Sequence, residues 1–260
     1  MSLLDRKVQF GKLTVEIIDA DIERLKVGSC LNENLIDFFL CKRARNDIGD
    51  LSKCVASTRW FFGLSKERRI ARVLKIPSHV NDSLSVNFLG VQQQHPEWFR
   101  SDLVFVPVHV DGCHWVLAVI LNRSEPSPVS MDKCHAVIVV FDSLPSKGSV
   151  KRCNDIANKL RSFMNCEWYF RCVEREGKDV REFDSVTCPL IIPVVERQTN
   201  GSDCGLYVLR ACETLLGSAN ELKPHLLLND SDVDWLRVYL SGKVTVDGKS
   251  YRAELSREVL

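Results

Sequence analysis

The chain has 260 residues, long enough to bury a sizeable core, and its 45% apolar and 27% charged residues are those of a globular protein, not a disordered one. Thirty-five Lys+Arg against 34 Asp+Glu leave a net charge of +1, which excludes a strong overall pull toward nucleic acid or an anionic membrane. Eleven cysteines, odd in number and with no CxxC pair, argue against a disulfide framework and for free thiols in a reducing, intracellular setting.

In chain order, MSLLDRKVQF lacks the basic-then-apolar pattern of a signal peptide. Residues 31–45 place Leu31, Leu35, Phe38 and Phe39 at helical spacing, with Asn32 as a cap. KERRIARVLK (66–75) also fits a helix, and its basic residues read as a solvated face. The runs 103–110, 114–121 and 136–144 are β-branched and almost continuously apolar, as suits central strands covered on both faces. The run from Trp115 to Leu121 is too short to cross a bilayer. Between these strands, 122–133 is rich in Pro and Ser and reads as an inserted loop. A helix follows, capped by Ser149; 168–176 and 190–196 read as further strands. Residues 203–217 form a helix ending on glycine, and 231–240 another, with Ser231 and Asp234 in capping-box-like spacing. From about Val246 the chain turns polar and reads as a loosely held tail. Helices first, then strands, then both mixed, predict one α+β domain over 1–260 with a core of about 15–240.

The segment Gln198-Thr-Asn-Gly-Ser-Asp-Cys204-Gly205 leads from a strand into an apolar helix. Cys204 falls at the helix N-terminus, where free N–H groups and the dipole favour the reactive thiolate. Gly205 admits close approach of a substrate carbonyl, and backbone N–H groups with the Gln198 amide offer an oxyanion site. The other ten cysteines read as buried free thiols. Of six histidines, His114 opens an apolar strand and is followed by the flat wall of Trp115. Asp142 ends the next strand and would orient the imidazole; Asp132 competes, but sits in the Pro/Ser loop where nothing rigid holds it. His109, Cys113, His114, Cys134 and His135 lack zinc-like spacing, so no metal or cofactor is expected.

HWVLAVI, VFDSL and QTNGSDCG, in that order, with LKVGSCLNENLIDFFL upstream, resemble the ubiquitin-like-protein proteases, the SUMO- or sentrin-specific cysteine proteases. The resemblance runs from about residue 15 to 240. It implies a papain-like architecture, a central mixed sheet flanked by helices, with chain order His-Asp-Cys. It implies a triad of His114, Asp142 and Cys204, with Gln198 in the oxyanion hole. It implies that Trp115 walls a narrow tunnel for a modifier's Gly-Gly tail, with Cys30, Glu33 and Gly205 along it. The implied activity is hydrolysis of the peptide or isopeptide bond after that tail. The modifier is expected to be SUMO, with ubiquitin or another ubiquitin-like protein as the alternative, and an acyltransferase or a modifier-binding pseudoprotease as further readings. A monomer in the nucleus or cytoplasm, binding neither nucleic acid nor membrane, is expected. Two departures stand out: Cys30 occupies the place of the family's upstream tunnel tryptophan, and Glu33 that of its aspartate. His114 and Asp142 also lie further apart in the chain than the family leads one to expect, by the length of the Pro/Ser loop.

Overall fold

The computed structural model describes residues 6–66, 98–123, 134–144, 148–173 and 176–259. The helix expected over 66–75, apart from Lys66, most of the 122–133 loop with Asp132, and His79 and His95 lie outside the described residues. A short hairpin, β1 (Lys7–Phe10) and β2 (Leu13–Glu16), precedes the short helix α1 (Asp19–Ile22). It was not foreseen: four-residue strands give alternation too little length to register, although Val8 and Val15 are both buried. Helix α2 (Glu33–Asn46) follows, and Asn32 caps it as expected, its side chain accepting from the Leu35 N–H at 3.1 Å. Strand β3 (Lys53–Val55) and helix α3 (Thr58–Lys66) come next.

The three apolar runs form β4 (Leu103–Val110), β5 (His114–Asn122) and β6 (Ala136–Phe141). With β3 and β7 (Leu190–Ile191) they make a five-stranded mixed sheet in the order β3-β4-β5-β6-β7, parallel at both outer pairings and antiparallel within. Successive side chains go to opposite faces. Trp115, Leu117, Val119 and Leu121 of β5 therefore join the core with α2 and with α5 (Cys204–Gly217). Val116, Ala118 and Ile120 join the core with α3 and with α4 (Ser149–Trp168). Burying such a side chain contributes about 1.5–3 kcal/mol, so apolarity on both faces is what holds the middle of the sheet. The expected α+β architecture, a mixed sheet flanked by helices, is observed.

Several details differ from expectation. Residues 168–173 complete α4 and a π-helical turn (Tyr169–Val173) instead of a strand, because Cys166, Trp168 and Cys172 keep the helix packed on the sheet. Of 190–196, only Leu190–Ile191 joins the sheet. The N-cap of α4 is Gly148, and Ser149 is its first helical residue. After the short helix α6 (Ala219–Leu222) comes α7 (Asp230–Leu240), capped by Asn229 and Asp232 in a capping box two residues earlier than expected. The polar end is not loose: it forms α8 (Gly248–Arg257), capped by Asp247, with Tyr251, Arg252 and Leu255 buried. Its average polarity hides a narrow stripe, Tyr251, Leu255 and Val259, at four-residue spacing. No helix among the described residues is long and apolar enough to cross a membrane.

Candidate active site

The antiparallel register places Val110 opposite His114 and Leu117 opposite Phe141, so Asp142 leaves the sheet beside the start of β5. There, His114 Nε2 lies 2.8 Å from Asp142 Oδ1, and both side chains are buried. The other ring nitrogen, Nδ1, is not engaged by Asp142, and Cys204 lies near enough to act electrostatically on the ring. Cys204 is the first residue of α5, with 1% of its surface exposed. The Asp203 carbonyl accepts from the Leu206 and Tyr207 N–H groups at 2.8 and 3.3 Å, closing the first turn. Helix geometry leaves the first N–H groups, that of Cys204 among them, without intrahelical acceptors. Strand β5, the end of β6 and the start of α5 thus bring the three predicted side chains together.

The electrostatics follow from this contact. Burial opposes a charged imidazole at His114, but the hydrogen bonds and charges of Asp142 and Cys204 outweigh it and push the ring up to about 9. Burial likewise opposes ionisation of Asp142, yet bonds from His114, from Arg152 and from the Leu144 N–H hold it below the ordinary carboxylate range. Leu144 N–H reaches Oδ1 at 3.0 Å; Arg152 Nε reaches Oδ2 at 3.1 Å, and its Nη2 binds the same oxygen. Arg152 was missed by sequence reasoning. Its only signal is position, one turn into the helix that follows VFDSL, ten residues after Asp142.

Cys204 and Trp115 line a cleft of about 410 Å³ together with Cys30, Glu33, His109 and Cys113. Trp115 is held edge and face: Nε1 donates to the Leu31 carbonyl at 2.9 Å, and His109, its cross-strand partner, stacks on the indole at 4.1 Å. The bulk of His109 on that ring was also missed, although hairpin register places the two opposite each other. Cys30 is exposed, 3.7 Å from the Gly201 carbonyl. Glu33 opens α2, and its carboxylate lies 3.7 Å from Arg59. A second groove, of about 710 Å³, adjoins the first through Glu33, His109 and Gly112 and runs between α3 and α4 past Phe62, Lys151 and Lys159.

Gly205 does not lie along the cleft. A Cβ there would come within 3.0 Å of Leu31 Cβ and 3.1 Å of Ile36 Cδ1, so the missing side chain serves close packing of α5 on the α2 region. Gln198 lines a crevice with Asp203, Tyr207 and Arg252. Its Oε1 accepts from Ser143 Oγ at 2.6 Å, its N–H donates to the Ser143 carbonyl at 3.0 Å, and Nε2 donates to the Asn200 carbonyl at 2.6 Å. The amide keeps a second N–H. All eleven cysteines are free, but not all the others are buried: Cys30 and Cys113 are exposed. Burial pushes the thiols of Cys153 and Cys166 up to about 11 and that of Cys188 to about 12, which suppresses their thiolates. Among the described residues no three His, Cys, Asp or Glu side chains gather closely enough to hold a metal ion.

The family model of the Ulp1 protease family, C-terminal catalytic domain, matches residues 29–246. The chain is similar to a probable ubiquitin-like-specific protease 2B of Arabidopsis thaliana, 26% identical over 228 residues, covering 85% of this chain and 23% of that protein. It is also similar to sentrin-specific protease 7 of Rattus norvegicus, 25% identical over 255 residues, covering 76% of this chain and 23% of the relative. The chain thus spans about a quarter of the length of these curated relatives. The crystal structure of a de-sumoylating protease shares the fold, with a TM-score of 0.61 at 14% identity, covering 97% of this chain and 90% of that one.

Proposed function

The chain belongs to the Ulp1 protease family, through its C-terminal catalytic domain, and we propose that it is a cysteine protease that hydrolyses the bond after the Gly-Gly tail of a ubiquitin-like modifier, SUMO by preference. The observation that carries this reading is the His114–Asp142 hydrogen bond beside Cys204, with Cys204 at a helix N-terminus in a cleft walled by Trp115. The chain-order His-Asp-Cys triad, in a single catalytic domain over 1–260, is part of the same proposal. SUMO is preferred because one similar protein is named sentrin-specific and a similar fold is that of a de-sumoylating protease.

In the proposed cycle, Cys204 thiolate attacks the carbonyl carbon of the modifier's last glycine. The oxygen becomes an anion and takes bonds from the Cys204 N–H and the free N–H of Gln198. The C–N bond then breaks, and the imidazolium of His114 gives its proton to the departing lysine amine. Water enters, His114 takes its proton, and hydroxide adds to the thioester. Breaking the C–S bond frees the modifier's carboxylate and returns the thiolate. Asp142 holds the ring so that Nδ1 faces sulfur throughout. No cofactor enters the cycle. The enzyme would act as a monomer, inside the cell, in the nucleus or cytoplasm, where eleven free thiols persist.

A panel of modifier probes carrying a C-terminal propargyl group or vinyl sulfone tests this. The SUMO probe should label Cys204, and Cys204→Ser should abolish labelling. A ubiquitin probe reacting faster would move the substrate to the alternative modifier. Modifier binding without labelling by any probe would leave a pseudoprotease.

A further inference from the structure

Helix α8 lies beyond the matched segment, which ends at residue 246, yet it reaches the nucleophile loop. Its Arg252 is 2% exposed, although a buried guanidinium is costly unless its donors are all satisfied. Here they are. Nε and Nη2 grip Asp203 Oδ1 at 3.2 and 2.7 Å, and Nη2 also reaches the Ser202 carbonyl at 3.2 Å. Nη2 donates further to the Ser29 carbonyl at 2.7 Å, and Nη1 to the Arg24 and Lys26 carbonyls, both at 3.1 Å. One side chain therefore joins the two residues before Cys204 to the segment that leads into Cys30 on the cleft edge. Asp203 is closed in from its other sides as well. Asn200 Nδ2 donates to Oδ2 at 2.8 Å, and Gly248, the first residue of α8, presses against the carboxylate so closely that a Cβ would sit 3.0 Å from Asp203 Cγ and nearer still to Oδ2.

We infer that Arg252 is a positioning residue for the nucleophile: through Asp203 it sets where α5 begins, and so places Cys204 sulfur against His114. The inference rests on the reading of Cys204 as nucleophile. A rigid guanidinium whose Nε and Nη2 close on one carboxylate oxygen while its other donors hold four backbone carbonyls suits this task better than a point charge, since it fixes orientation as well as distance.

Two variants test it from opposite sides of Asp203. Arg252→Met removes the grip, and Gly248→Ala pushes the carboxylate aside. The second is informative because it displaces the Asp203 carboxylate without removing any donor of Arg252, so a purely structural role for the pair predicts a lower Tm with kcat and Cys204 alkylation unchanged. Lys42→Met serves as control: Lys42 ties α2 to Glu258 at 3.0 Å, away from the nucleophile loop. On a SUMO–fluorophore substrate, Gly248→Ala should lower kcat by thirtyfold or more with KM within threefold. Arg252→Met should lose at least as much kcat and also raise KM, because it frees the 24–29 segment. Arg252→Lys should recover only part of the loss. Lys42→Met should lower Tm and leave kcat within twofold. Alkylation of Cys204 by iodoacetamide, followed by peptide mass spectrometry, needs no substrate. Its rate should differ at least fivefold from wild type in both test variants. A folded Gly248→Ala enzyme with wild-type kcat and wild-type alkylation overturns the inference, even if Arg252→Met fails to fold. A wild-type chain inert to every substrate overturns the protease reading instead, and alkylation alone then decides the role of Arg252.

Discussion

Replacing Asp142 by Asn keeps the shape of the side chain and removes its charge. In the structure Oδ1 accepts from His114 and from the Leu144 N–H, while Oδ2 accepts from Arg152. Asn can keep one acceptor toward His114 but supports an imidazolium poorly and leaves Arg152 facing an amide. The effect on stability has a definite pH signature. His114 is raised from its ordinary 6.5 to about 9 in the folded chain. Its contribution is therefore complete below pH 6.5 and lost as pH rises through 9; the full span corresponds to about 3 kcal/mol. Asp142 is held below its ordinary value, so its contribution is present above that value and lost as pH falls through the folded one. Wild type should thus exceed Asp142→Asn most in the mildly acidic range. The gap should narrow by about 2–3 kcal/mol between pH 6.5 and 9, since Asp142 is the largest of the groups that raise His114. Urea titrations of both proteins across pH 5 to 9.5 measure it, and kcat/KM on the SUMO substrate should fall on the order of a hundredfold or more at neutral pH. A stability gap that stays flat across the range, or activity within tenfold of wild type, would refute the claim that Asp142 holds a charged His114.

Cys204→Ser should eliminate turnover while leaving Tm and modifier binding close to wild type, as measured by calorimetry with SUMO. Trp115→Ala should impair cleavage strongly, since it removes the cleft wall and the partner of His109, whereas Cys30→Trp should be tolerated because Cys30 is exposed at the cleft edge. The latter should sharpen discrimination between tails ending Gly-Gly and Ala-Gly in kcat/KM; a folded but inactive Cys30→Trp would show that the space is already taken. Asp37 is buried beneath the start of α3, accepting from the Thr58 N–H at 2.8 Å, and burial pushes it up to about 7. Folding therefore becomes less favourable as pH rises from about 4 to 7, by up to about 4 kcal/mol, and Asp37→Asn should remove that slope in thermal melts.

The parts of this molecule that the sequence made legible are those where one local pattern suffices. β4, β5 and β6 are apolar on both faces, and that alone marks them as central strands. QTNGSDCG marks a loop running into a helix, and Cys204 does open α5. What stayed hidden depends on contacts between distant segments. Arg152, Ser143 and Arg252 are ordinary polar residues until the fold sets them against Asp142, Gln198 and Asp203. Gly205 shows the reverse error: a glycine beside a nucleophile suggested room for substrate, whereas the space belongs to Leu31 and Ile36. The stretch 168–176 reads as a strand from its aromatic and β-branched content, and over 168–173 tertiary packing of Trp168 and Cys172 keeps it helical.

The cleft that holds Cys204 also carries two exposed thiols on its walls, Cys30 and Cys113. Neither is needed for the proposed chemistry, so each offers a point of attachment that leaves the nucleophile untouched. Disulfide-bearing fragments captured at Cys30 or Cys113 would sample the passage beside Trp115 from two directions. An electrophile grown from either anchor toward the sulfur of Cys204 would make a two-point covalent inhibitor. Its selectivity would come from the anchoring thiol.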